Sequence, residues 1–147
     1  MVAWAFSLAA AGIFPALVLG IWWKRANTAG CITGMVIGFG LCVFYLVVTR
    51  YFPGAGVQYF GMSSLVNAMT GAPVVDVAAV FAKDPQLAMQ SWVAGSHPLA
   101  SKVGWFNINN ISAAIFGLPA GFLAIWIVSS LTAAPSKEVQ DMVDAVM

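Results

Sequence analysis

The sequence predicts an all-α integral membrane protein with three transmembrane helices, and three observations carry that prediction. Of its 147 residues, 61% are hydrophobic and 7% charged, whereas a soluble domain carries about 25% charged residues; a water-facing surface cannot be built from so few charges. The uncharged apolar stretches are long enough to cross a bilayer. Each also repeats small residues four apart, a spacing that aligns them on one face of a helix.

Span A covers residues 2–23. At about 1.5 Å per residue, ~20 helical residues cross a hydrocarbon core of about 30 Å, and Lys24-Arg25 end the span. A cleaved signal peptide would place its positive residues before the apolar run and make that run about 7–15 residues long; here the charges follow and the run is longer. Span B covers residues 29–48 and span C residues 111–131, both uncharged. Backbone groups in lipid need internal partners, so these spans are helices. The short A–B connection holds Lys24 and Arg25, which places it in the cytoplasm, the N-terminus outside and the C-terminus inside. Trp4, Trp22, Trp23, Tyr45, Tyr51 and Trp105 fall near span ends, where amphipathic rings favour the headgroup region; Trp126 lies well inside span C.

Residues 51–110 read as an extracellular loop. Pro53, Gln58, Ser63, Ser64, Asn67, Thr70 and Gly71 dilute its apolar character below that of a span. Short helices are expected near 74–82 and 85–93, with Asp84-Pro85 as the break between them. His97 precedes Pro98 and reads as a turn residue, since metal or proton work needs a partner. The tail, 132–147, reads as cytoplasmic. Val139, Met142, Val143 and Val146 stand at i, i+3, i+4 and i+7, the pattern of an amphipathic helix with Ser136 as its N-cap. The whole chain, 1–147, reads as one membrane segment.

Six Lys and Arg balance five Asp and Glu, so there is no basic field for nucleic acid. Cys31 and Cys42 lack the spacing or His neighbours of a metal or redox motif and read as small packing residues. No span carries a charged or histidine side chain at its centre, where proton relays and ion paths place them, and no nucleophile stands with a base. The chain therefore reads as no enzyme, with no cofactor and no bound metal. The small residues are Gly12, Ala16 and Gly20 in A, Gly30, Gly34 and Gly38 in B, and Ala113, Gly117 and Gly121 in C. They suit close helix packing, which in lipid rests on van der Waals contact; Pro15 and Pro119 are expected to kink A and C. The hydroxyls of Ser7, Thr33, Ser112, Ser129 and Ser130 read as bonded to their own helices.

From Gly20-Ile21-Trp22-Trp23-Lys24-Arg25 through Ala29-Gly30-Cys31 to Gly34 and Gly38, the A–B junction resembles the second signature of the sodium:solute symporter family. Arg25 and Gly30 stand at its spacing, Gly34 and Gly38 match its small positions, and Cys31 replaces an alanine. The stretches 14–25 and 111–122, with Pro135-Ser136-Lys137-Glu138, are similar to the end of cation/acetate symporters; residues 52–104 carry no such motif. The resemblance implies the last helices of an inverted-repeat fold of five plus five helices, in a bacterial inner membrane. Sodium would then serve the full-length transporter through ligands outside this chain. Span A would be the last helix of the second repeat, and Ser7 its candidate substrate contact.

The expected function is the C-terminal portion of a sodium-coupled acetate or short monocarboxylate symporter, not transport-competent alone. The alternative is a small structural or assembly subunit that packs through its glycine faces. The expected partners are membrane lipid and either the missing N-terminal helices of a permease or another membrane subunit.

Overall fold

The computed structural model describes residues 2–86, 97, 99–100, 102–133, 136, 140–141 and 145. In chain order its elements are α1 (Val2–Trp22), α2 (Thr28–Tyr51), α3 (Pro53–Phe60), β1 (Ser63–Ser64), α4 (Val77–Lys83), β2 (Val103–Gly104), a 3-10 turn (Asn110–Ser112) and α5 (Ala114–Leu131). Among the described residues, three helical stretches are long and apolar enough to cross a membrane: Val2–Trp22, Thr28–Tyr51 and Asn110–Leu131. The fold of the described residues is all-α apart from one antiparallel pair of two-residue strands and an isolated bridge between Val66 and Pro73. α1 and α5 run unbroken through Pro15 and Pro119. The chain divides into two compact units, one made of residues 1–43 with 114–147 and the other of residues 44–113.

In the first unit α1 packs along α5. The buried face of α1 is Ser7, Ala11, Gly12, Pro15 and Ala16, and that of α5 is Gly117, Gly121, Ala124, Ile125 and Ser129. Large side chains point the other way: Phe6, Phe14, Leu17 and Trp22 on α1, Ile32, Val36 and Phe39 on α2, and Leu123, Trp126 and Leu131 on α5 are exposed. Small residues inside and large apolar residues outside is the reverse of a water-soluble bundle. It is the distribution a hydrocarbon solvent selects, because an outward Leu costs nothing there and an inward Gly allows close approach. Gly20 departs from the expected small face of span A: it is exposed, and a methyl group added to it would touch nothing.

The second unit begins with the last turns of α2, which continues beyond the expected boundary at residue 48 to Tyr51. Thr49 helps carry that extra turn by donating its hydroxyl to the Tyr45 carbonyl at 2.8 Å. α3 starts at Pro53, which supplies the first-turn φ and whose missing N–H is not needed there. Counted only among the residues that dilute the apolar character of the loop, Pro53 did not signal this helix in the sequence. Gly61, at φ 63°, ends α3 in the left-handed conformation that glycine adopts without strain. Asp76 caps α4 by accepting the Ala79 N–H at 3.2 Å. Ser63 pairs with Gly104 and Ser64 with Val103.

Tyr45 is fully buried; its hydroxyl donates to the Ile108 carbonyl at 2.5 Å and accepts the Trp105 N–H at 3.1 Å. The Trp105 indole N–H in turn reaches the Phe60 carbonyl at 2.7 Å. His97 is buried and shapes a turn: its Nδ1 accepts the Leu99 N–H at 3.1 Å, and its carbonyl accepts the Ala100 N–H at 2.8 Å. Most of the expected helix at 85–93, and Val139, Met142, Val143 and Val146 of the expected tail helix, lie outside the described residues.

Candidate functional site

The residues singled out in the sequence, Ser7, Lys24, Arg25, Gly30, Gly34 and Gly38, all fall in the first unit. The three glycines are buried. They stand at i, i+4 and i+8 on α2, opposite Gly117, Gly121, Ile125 and Ser129, which repeat at the same interval on α5. A methyl group on Gly30 would strike the Ser129 hydroxyl, and one on Gly34 the Ile125 side chain, with the Gly121 carbonyl oxygen at 2.9 Å. On Gly38 it would strike the Ala11 carbonyl of α1, with the Gly117 carbonyl oxygen at 3.0 Å. Matching rows at an interval of four run antiparallel, and each glycine admits the neighbouring backbone where a side chain would hold it off.

Sequence reasoning left the partner of span B open between span A, which a short connection suits as an antiparallel neighbour, and a helix outside this chain. The structure makes α5 the partner at Gly30 and Gly34, and α1 joins it only at Gly38. On the α1 side, Gly121 faces Pro15, whose Cγ would lie 3.0 Å from an added methyl group, and Gly117 faces Ala11. The pairs 11–117 and 15–121 make α1 and α5 parallel. Ser7 lies one turn before Ala11 on that same row and is buried.

One end of this unit is tied by polar groups. Asn27, between α1 and α2, accepts the Gly30 N–H on its Oδ1 at 2.7 Å and so caps α2. Its Nδ2 donates to Thr132 Oγ1 at 2.5 Å and to the Ala133 carbonyl at 3.0 Å, just past the end of α5. Ser129 donates its hydroxyl to Asn27 Oδ1 at 3.3 Å, across the helices rather than along its own. Arg25 donates to the Ser130 carbonyl at 3.2 Å, a cation on the terminal carbonyls where the helix dipole favours it. Lys24 is exposed beside it.

Sequence reasoning missed Asn27. The signal was present, since Asn27-Thr28 directly precedes a helix and Asn is a preferred N-cap, but only the fold brings residue 132 to residue 27. Thr33 and Ser130 do bond their own helices, at 2.7 Å to the Ala29 carbonyl and 2.6 Å to the Trp126 carbonyl.

These side chains hold helices together and offer no reactive pair. Among the described residues, no group of three or more His, Cys, Asp or Glu is placed to hold a metal. An open groove of about 280 Å³ lined by Gly12, Ile13, Met35, Val36 and Phe39 has an apolar lining, so it supplies no donor for a charged solute. Fold and site together define a helical membrane segment organised for close helix packing.

The chain is 34% identical over 128 residues, 87% of its own length, to an uncharacterized symporter of Cupriavidus necator. It spans 13% of the length of that relative. No family model matches the chain, and no solved structure matches it.

Proposed function

We propose that this chain is the C-terminal part of a sodium-coupled symporter for acetate or another short monocarboxylate, and that it does not transport on its own. The observation that carries the reading is the 34% identity to a symporter over 87% of the chain, set against 13% of that protein's length. It favours a transporter segment over a free-standing assembly subunit. The subtype rests on the resemblance at Lys24, Arg25, Gly30, Gly34 and Gly38. Those glycines form the packed face of α2, which gives the signature a physical role: it locks three helices into one module.

Sodium is cargo in this reading, and its ligands are supplied by other helices. The hydroxyls of Thr33 and Ser130 are bonded to backbone carbonyls and that of Ser129 to Asn27, so they do not converge as a cage of oxygens. Ser7 is the position from which α1 would touch the solute path. In an 18-residue apolar window of each membrane-length stretch, 22%, 28% and 28% of the residues are buried, leaving outer faces for lipid and for the remaining helices of the permease. Lys24-Arg25 on the cytoplasmic side of a bacterial inner membrane puts the end of α5 there too, since Arg25 bonds its last turn.

The test is a hybrid in which this chain replaces the matching segment of the Cupriavidus necator symporter, reconstituted in proteoliposomes with labelled acetate. Sodium-gradient-driven uptake by the hybrid, with none by the chain alone, is the expected result. A hybrid that folds but moves no monocarboxylate, or a chain that accumulates acetate unaided, would overturn the proposal.

A further inference from the structure

In the unit of residues 44–113, the deeply buried polar side chains of Tyr45 and Thr49 have partners within the unit, and so does the turn-forming His97. Asn110 differs. It is 1% exposed, and both its Oδ1 and its Nδ2 are buried with no hydrogen-bond partner. The Oδ1 of the preceding residue, Asn109, is buried and unpartnered as well. Asn109 stands at the N-cap of the 3-10 turn, with φ −69° and ψ 155°, yet its side chain makes no capping bond. An asparagine at a cap position ordinarily uses its oxygen on the turn's free N–H groups. Here its oxygen is withheld from that role, and the next residue in the chain carries a second unpaired carboxamide.

We propose that Asn109 and Asn110 form the seat of a single internal water molecule. Buried polar atoms are paired in the great majority of cases, and ordered water is the partner where protein supplies none. Such a water typically makes about three hydrogen bonds. The unpaired set is two carbonyl-type acceptors and one NH2 donor group. Water matches it group for group: its two O–H groups donate to Asn109 Oδ1 and Asn110 Oδ1, and its oxygen accepts from Asn110 Nδ2. A monovalent cation suits the two oxygens but would meet the positive end of the Nδ2–H2 dipole, so the donor decides between the two guests.

The test is a high-resolution structure of the full chain in lipid, with unfolding midpoints in sodium, potassium and choline chloride at equal ionic strength. A solvent peak about 2.7–3.2 Å from all three atoms, and midpoints independent of the cation, are the expected results. Asn110→Asp, which exchanges the donor for an acceptor, lowers the midpoint and removes the peak. Carboxamides bonded to protein atoms with no peak between them would overturn the proposal. So would a midpoint that rises with sodium or potassium, which would make the seat a cation site. If Asn110→Asp fails to fold, the parent protein's density and salt series still decide.

Discussion

Gly38→Ala adds one methyl group at the closest backbone approach of the helix junction. That methyl would strike the Ala11 carbonyl oxygen of α1 and lie 3.0 Å from the Gly117 carbonyl oxygen of α5. Both obstacles are backbone, so no rotamer relieves them and α2 must withdraw from both helices. A radial gap of about 0.5–1 Å forfeits a quarter to a half of each contact's dispersion energy, and overpacking of this kind costs about 1–3 kcal/mol. Against that stands the gain of about 1 kcal/mol from replacing glycine by alanine inside a helix. Gly12→Ala isolates the steric term: Gly12 is also buried and helical, but its added methyl would sit 3.5 Å from Phe39 Cβ, ordinary contact distance. The propensity gain is common to both variants and cancels in their difference. Reversible unfolding in mixed micelles should place Gly38→Ala about 1–3 kcal/mol below Gly12→Ala, with Gly12→Ala no less stable than the parent. Equal stabilities for the two variants would refute the proposed close approach at Gly38.

Asn27→Ala removes the cap on α2 and the link to Thr132 and should cost about 1–2 kcal/mol in the same unfolding assay, while Asn27→Asp, which keeps the Gly30 bond, should fall between it and the parent. Gly34→Leu should destabilise the chain without any further helices, because Ile125 and Gly121 of α5 stand in its way; Val36→Leu, on an exposed position, should be silent in thermal melts in detergent. Tyr45→Phe leaves the Ile108 carbonyl without its donor, a loss of about 1–3 kcal/mol, and should speed amide exchange at Trp105; unchanged exchange there would refute the role of the hydroxyl. Reporter fusions after Met147 should be active only in the cytoplasm, and a fusion active only when exported would reverse the proposed orientation.

Helix existence and the packed glycine face were legible in the sequence for a physical reason. A bilayer requires length, apolarity and internal hydrogen bonding, all of which are local properties. Gly30, Gly34 and Gly38 declare a face because their interval is that of the helix itself. What that face meets is not local. The short connection suited α1 and a helix outside the chain was the alternative, whereas the structure sets the row against Gly121, Ile125 and Ser129 of α5, with the Ala11 carbonyl of α1 and Gly117 of α5 meeting it at Gly38. Gly20 belongs to the α1 pattern by spacing but falls outside the contact, so interval alone overstates the packed length. Hydropathy likewise ended span B at residue 48, although the helix runs on through Thr49, whose hydroxyl bonds the preceding turn, and Arg50.

The polar end of the junction adds what the glycine row lacks. Close packing of small faces is short-ranged and leaves sliding along the helix axis weakly opposed, since a row of glycines looks much the same one turn further on. Asn27 removes that freedom. It bonds the first turn of α2 through Oδ1 and the residues just past α5 through Nδ2, so a one-turn slip, about 5.4 Å, would break both attachments. Arg25 adds a third on the Ser130 carbonyl. The glycines set how near the helices come, and Asn27 with Arg25 sets their register. Arg25, Asn27 and Gly30 lie within six residues of one another, so one short stretch of chain carries both the register contacts and the start of the close-packed row.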